Sequence, residues 1–425
     1  MIVKIKKSVL VVLILVVILN CAIARAGEIA LTLDEAAALA LRNNRDVLFK
    51  AEEVLKAKQK VAEAKADLLP TLDFTATISD TRGYYAKDLT QKTTQTTLKQ
   101  YLYKGGEIVN TIQYNKYDFL VQKALLDKEK LATAASVENA FYTLLLAEDF
   151  AALNKQILEN TKEHLKVLKE RFKSGQASEQ EILNIEASLS STQEVYEASL
   201  NEVESGCVLL NSLLYLGDDV RVRPKGELVY QPIDVAYDEA FLKAMSKSPQ
   251  IKQYQAQEKA DKKYIEVVKA DARPNIYASW DYYSRDHVSL STTKGWNDYN
   301  VIGVTVTWPI FDGWATKAKV QQAIVDLKQT KLLKEKAVKD IATDLKNAYI
   351  SLKNAIAKMQ SVESDIKLYN DSLISVKEKY QRGITSELDA EDAGLKYEVS
   401  LFNKKQAIYD YIVAKISFDK AQGGI

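Results

Sequence analysis

Between residues 71 and 80 the chain alternates strictly. Leu72, Phe74, Ala76 and Ile78 face one way, while Thr71, Asp73, Thr75, Thr77 and Ser79 face the other. A period of two marks a strand with one apolar and one polar face. The pattern returns with Ile276, Ala278, Trp280 and Tyr282, and again with Ile302, Val304, Val306, Trp308 and Ile310. Together with the run ending in Tyr101-Leu102-Tyr103, it predicts strands over about 71–81, 93–103, 275–285 and 299–310. Elsewhere the pattern is helical. Residues 107–173 and 314–382 contain neither Gly nor Pro and are rich in Leu, Ala, Lys, Glu and Gln. Each predicts one helix of about 100 Å at 1.5 Å per residue, beyond what a compact domain holds. Gly175 and Gly383 reverse the chain into return helices over about 178–215 and 386–420. Thr32 or Asp34 caps an opening helix that runs toward Leu68 and stops at Pro70.

The elements come in two sets. Leu33-Asp34-Glu35-Ala36 returns as Tyr237-Asp238-Glu239-Ala240, and Lys65-Ala66-Asp67 returns as Lys269-Ala270-Asp271. Further on, Lys169-Glu170-Arg171-Phe172 returns as Lys377-Glu378-Lys379-Tyr380, and Gly175 as Gly383. Such agreement reads as internal duplication. The first repeat covers 27–217, a linker 218–236 and the second repeat 237–425.

Residues 1–26 read as an export signal. Lys4, Lys6 and Lys7 precede an unbroken apolar run from Val9 to Leu19, and Ala24-Arg25-Ala26 offers a cleavage site before Gly27. The run is too short to span a bilayer. A rival cleavage leaves Cys21 as a lipid-bearing first residue. The 58 basic and 57 acidic side chains nearly balance, so there is no basic excess for nucleic acid. Beyond the leader Cys207 is the single cysteine, which excludes a disulfide framework and a cysteine metal cluster. His164 and His287 lack metal-ligand spacing. No phosphate loop, dinucleotide fingerprint or nucleophile elbow is present, so neither an enzyme nor a cofactor is expected.

Past the leader no apolar stretch approaches twenty residues, so the mature chain is either periplasmic or crosses a membrane by strands. Four strands cannot close around a lumen, and open sheet edges do not survive in hydrocarbon. A membrane reading therefore demands several chains sharing one barrel; three supply twelve strands. The alternative is a periplasmic coiled-coil adaptor or structural protein without a channel, which leaves the paired amphipathic strands unexplained. All four Trp lie in the second strand pair or at its borders, and Tyr101 and Tyr103, with Tyr84 and Tyr85, occupy comparable places in the first. Trp280, Trp308, Tyr101 and Tyr103 are candidate membrane-interface aromatics, or else the core of a soluble sheet.

In its ordered features the chain resembles the TolC-like outer-membrane efflux family. These features are Leu31-Thr32-Leu33-Asp34-Glu35-Ala36 with Asn43-Asn44, the breaks at Pro70 and Pro274, the two strand pairs and the glycine-containing helix tips. The resemblance implies an α+β membrane protein: a trimeric 12-stranded outer-membrane β-barrel, four strands per chain, continued by a long periplasmic α-helical barrel. It also implies a passive exit duct for efflux or type I secretion. The partners would be a periplasmic adaptor (membrane fusion protein), an inner-membrane pump and outer-membrane lipid. Asp389 and Asp392, one helical turn apart, would form two rings of three carboxylates in a trimer and so a cation-attracting constriction. The family's aperture aspartates match these positions; the alternative is a solvated acidic helix start. By the same resemblance, Tyr380 and Glu181 belong to a latch between the two helix pairs. Thr385 stands where the family has an arginine, with Arg382 as the candidate substitute. The tips at Ser174-Gly175 and Arg382-Gly383 are where the adaptor would dock, although helix termination alone also accounts for the glycines.

Overall fold

In a computed structural model, the structure describes residues 28–83, 89–217, 220–286 and 295–424. The export signal with Cys21, and Tyr84, Tyr85 and His287, lie outside the described residues. In chain order the first elements are β1 (Glu28–Leu31), α1 (Leu33–Asn43), α2 (Arg45–Ala66), β2 (Thr71–Thr81), β3 (Leu89–Lys104), α3 (Glu107–Lys173) and α4 (Glu179–Leu214). They are followed by β4 (Arg221–Pro224), α5 (Tyr237–Lys247), α6 (Pro249–Lys269), β5 (Asn275–Asp286), β6 (Trp296–Thr307), α7 (Ala315–Gln381) and α8 (Glu387–Ala421). No helix among the described residues is long and apolar enough to cross a membrane.

Four local outcomes differ from the sequence reading. The opening helix is two helices. Asn44, 6% exposed, takes an extended ψ of 127°, and its Oδ1 accepts the amides of Asp46 at 2.9 Å and Val47 at 3.2 Å. This caps α2 and breaks the run. The second set breaks at the corresponding place, where Pro249 opens α6 and holds Ser248 extended. Strand β3 reaches back to Leu89, and β6 ends at Thr307, because Pro309 has no amide to extend the ladder. The linker holds strand β4, whose four residues pair in parallel with β1.

The chain divides into two compact units: residues 1–48, 129–244 and 342–425 form the first, and 49–128 and 245–341 the second. The first unit buries Ala36 and Ala40 of α1, Val137, Phe141 and Leu144 of α3, Val203, Leu210 and Leu214 of α4, and Val222 of β4 in one cluster. Alternation puts Val222 and Pro224 inward and Arg221 and Arg223 outward. The Cys207 thiol, buried in this cluster, donates to the Val222 carbonyl at 3.6 Å. A Cβ placed on Gly206 would stand 3.1 Å from Leu144 Cδ1, so α4 lies close against α3 here.

The second unit holds a four-stranded antiparallel sheet in the order β2-β3-β5-β6. In one register row Leu72 pairs Leu98, Leu98 pairs Trp280 and Trp280 pairs Ile302; the next row runs Asp73–Thr97–Asp281–Val301. The apolar face is uncovered: Leu72, Phe74, Ile302 and Val304 are 67, 70, 80 and 65% exposed. On the opposite face the Asp281 carboxylate accepts from Thr97 at 2.6 Å, Gln95 at 3.1 Å and Ser279 at 3.1 Å. Below the sheet, Arg273 donates to the Gly105 carbonyl at 3.0 Å and to Glu266 at 3.1 Å. Gly105 has φ +59°, and a Cβ there would meet the Ala270 carbonyl oxygen at 2.8 Å. Glu258 takes Lys262 at 2.8 Å and Lys334 at 3.0 Å, and these ammonium groups hold its carboxyl down to about 2.

Candidate functional site

Both hairpin turns belong to the first unit. At each, a glycine in the left-handed region ends the long helix: Gly175 at φ +74° and Gly383 at φ +69°. The Gln176 amide reaches back to the Arg171 carbonyl at 2.8 Å, and the Ile384 amide to that of Lys379 at 2.9 Å, satisfying carbonyls the helix ends leave open. The Ser174 hydroxyl adds a bond to the Arg171 carbonyl at 2.8 Å.

The return helices start with matching capping boxes. At α4 the Ser178 amide donates to Glu181 Oε2 at 2.6 Å, and the Glu181 amide donates to the Ser178 hydroxyl at 3.3 Å. At α8 Asp389 plays the same part with Ser386: amide to Oδ2 at 3.0 Å, hydroxyl to Oδ2 at 2.6 Å, and the Asp389 amide back to the hydroxyl at 3.1 Å. Thr385 adds a bond to the same oxygen at 2.7 Å. The Ser386 and Thr385 hydroxyls, with the Ser386 amide, hold the Asp389 carboxyl down to about 2; the Ser178 amide and hydroxyl likewise lower that of Glu181. Thr385 thus helps to fix Asp389. Both boxes have a sequence signature, Ser-x-x-Glu and Ser-x-x-Asp, which the reading by residue role passed over.

Asp389 and Asp392 are both exposed on the first turns of α8. Tyr380, 42% exposed, and Arg382 at the turn have no hydrogen bond to Glu181 among the described residues. Glu181 is instead brought beside His164, Arg171, Asn184, Ser386 and Glu391, around a cavity of about 500 Å³ floored by Val167, Leu168 and Ile185.

Helices α3 and α8 meet along an antiparallel seam. Thr143 and Tyr409 hydroxyls lie 2.9 Å apart, Phe150 and Phe402 rings 4.9 Å apart, Lys405 reaches Asp149 at 2.6 Å and Gln156 reaches Glu398 at 2.8 Å. Nearest the tips, His164 Nε2 contacts the Glu391 carboxylate. Only the register of the two helices brings these side chains together, and nothing local in the sequence announces it. Among the described residues no group of His, Cys, Asp and Glu is arranged to hold a metal ion.

In the second unit Trp280 stands on the apolar face between Leu98 and Ile302. Tyr103 shares that side through its pairing with Ile276, and Trp308, 60% exposed, donates its indole N–H to the Ala272 carbonyl at 3.3 Å. Tyr101 is different. A register shift separates it from Tyr103, and it packs on Ala64, Ile108 and Ile112. Its ring meets Tyr277 edge-on at 5.9 Å, with the Lys99 ammonium 4.7 Å from it. Its ring lies at the junction of sheet and helices.

A mostly helical chain with a four-stranded sheet, apolar on one side and polar on the other, has the make-up of an outer-membrane channel subunit. The profile described as outer membrane efflux protein matches residues 36–205 and 242–424, and the chain belongs to that family, the TolC-like outer-membrane channels. No curated protein matches the sequence. Among solved structures, the Campylobacter jejuni CmeC outer membrane channel is 18% identical, with 92% of this chain and 85% of that one covered and a TM-score of 0.77. The open state of the Neisseria gonorrhoeae MtrE outer membrane channel is 17% identical over 92% and 89% of the two chains, at 0.75. CusC, described in connection with transmembrane channel formation, is 17% identical over 92% of each chain, also at 0.75. At these identities the likeness is one of fold.

Proposed function

We propose that three copies of the chain join their four-stranded sheets into one twelve-stranded barrel in the outer membrane. The long helices form a periplasmic helical barrel, and cargo passes through it passively for efflux or type I secretion. The carrying observation is the sheet itself: apolar side chains stand bare on one face, Asp281, Thr97 and Gln95 line the other, and β2 and β6 are left as open edges. Lipid satisfies the first face, water the second and neighbouring copies the edges. Trp280, Trp308 and Tyr103 then sit where interface aromatics belong. The two sets of elements reflect internal duplication, and residues 1–26 direct export.

Asp389 and Asp392 ring the periplasmic aperture, with Tyr380, Glu181 and Arg382 around it. The tips at Ser174-Gly175 and Arg382-Gly383 receive an adaptor that joins the channel to an inner-membrane pump supplying the energy. Purified protein should migrate as an SDS-resistant trimer and give stepwise currents in planar bilayers. A water-soluble monomer giving none overturns the reading. For the latch, Glu181→Ala should raise conductance, and unchanged conductance removes Glu181 from it.

A further inference from the structure

Each helical hairpin is tied internally: its turn is closed by backbone bonds, and its return helix is locked by a capping box. Widening at the tips therefore falls on the seam between α3 and α8. Along that seam the contacts change character. Away from the tips the two helices touch directly, the Phe150 and Phe402 rings at 4.9 Å and Lys405 on Asp149 at 2.6 Å. Toward the tips the floor opens into the cavity of about 500 Å³, the kind of sparsely packed region that opens first. Four seam contacts (Thr143–Tyr409, Phe150–Phe402, Asp149–Lys405, Gln156–Glu398) involve no group that ordinarily changes charge near neutral pH. Nearer the tips than these four, His164 meets Glu391, and histidine is the side chain that ordinarily changes charge near neutral pH.

Glu391 of α8 and Glu181 of α4 line the same cavity as His164, together with Arg171 of its own helix and the Ser386 hydroxyl. Lys169 and Glu186 nearby are closed on each other at 2.8 Å.

We infer that His164 and Glu391 form a proton-operated clasp between the two hairpins, holding the tips together when His164 is protonated and loosening when it is neutral. This rests on the channel reading above. The energy of a part-exposed pair, repeated in each subunit, makes the expected effect a two- to five-fold change in open probability, on the order of what such pairs give.

The test is single-channel recording of the full-length trimer between about pH 5 and 8, with Glu391→Gln and His164→Lys beside the wild type. Each variant is first required to form the SDS-resistant trimer. The wild type should close more as pH falls. Glu391→Gln should stay at the high-pH open probability throughout, and His164→Lys, charged at every pH in the range, should stay low. A pH response that survives both substitutions overturns the clasp while leaving the channel intact. Should only one variant assemble, that variant decides by the same criterion. Absence of any wild-type current sinks the channel reading itself, and the clasp with it.

Discussion

Ser386 and Asp389 hold one another across the first turn of α8. The hydroxyl lies 2.6 Å from Oδ2, and the Asp389 amide returns a bond at 3.1 Å. The carboxylate proposed to line the aperture is therefore also the one that starts the helix, and its charge is fixed by its neighbours. With its carboxyl held at about 2, its contribution to stability is complete above the ordinary carboxylate range and lost as pH falls toward that value.

Cation preference, measured as a reversal potential in a salt gradient, should accordingly persist into strong acid in the wild type. In the Thr385→Ala, Ser386→Ala double variant it should fade nearer the ordinary carboxylate value of about 4. Equal midpoints in the two proteins would show that the preference arises elsewhere.

Gly105 and Gly313 occupy corresponding turns ahead of the long helices, both at positive φ (+59° and +68°). Their surroundings differ. Gly313 has open space around it, while at Gly105 a Cβ meets the Ala270 carbonyl oxygen at 2.8 Å and Arg273 Cβ at 2.9 Å. We expect Gly313→Ala to cost about 1–2 kcal/mol from backbone handedness alone. Gly105→Ala should cost clearly more and lower the melting temperature further in circular dichroism.

Leu144, fully buried, faces Gly206 across the α3–α4 contact. Leu144→Ala should destabilise by about 2–5 kcal/mol through lost burial and a cavity. Gly206→Val has no room without moving α4, and its trimer should dissociate in SDS at a lower temperature than the wild type.

Glu138 is pushed upward by burial, by the Asp419 carboxylate and by Asp34, with Lys415 pulling the other way. A carboxyl raised in the folded state favours folding in acid and loses that contribution as pH rises through its folded value. Glu138→Gln should therefore melt higher than the wild type at pH 7, with the difference vanishing below about pH 4. A variant melting lower at neutral pH would mean that the Lys415 attraction outweighs desolvation.

The parts legible in the sequence are those written in local periodicity and local turn chemistry. Alternation from Leu72 to Ile78 announced β2, and glycine pairs and singles bounded α3 and α7. The missed parts have local causes too. Asn44 sits inside a continuing helical pattern, so its cap was hidden. Strands β1 and β4 are four residues each, too short to show a period. The start of β3, Leu-Thr-Gln-Lys, shows no period because Thr90 and Lys92, on the same side as Leu98, are themselves polar. The Ser178 cap on Glu181 is local, three residues away, and has the capping-box signature. The His164–Glu391 contact depends on how two helices far apart in sequence are aligned, information that no window along the chain contains.

The three antiparallel pairings of the sheet have a consequence for stoichiometry. Directions alternate from β2 through β3 and β5 to β6, so the two outermost strands run oppositely. In the proposed barrel an even strand count would make β6 of one copy meet β2 of the next as an antiparallel seam, whether the ring contained three copies or another number. A subunit that gained or lost one strand would impose a parallel seam on every neighbour. Strand direction by itself would therefore leave the number of copies in the proposed ring open.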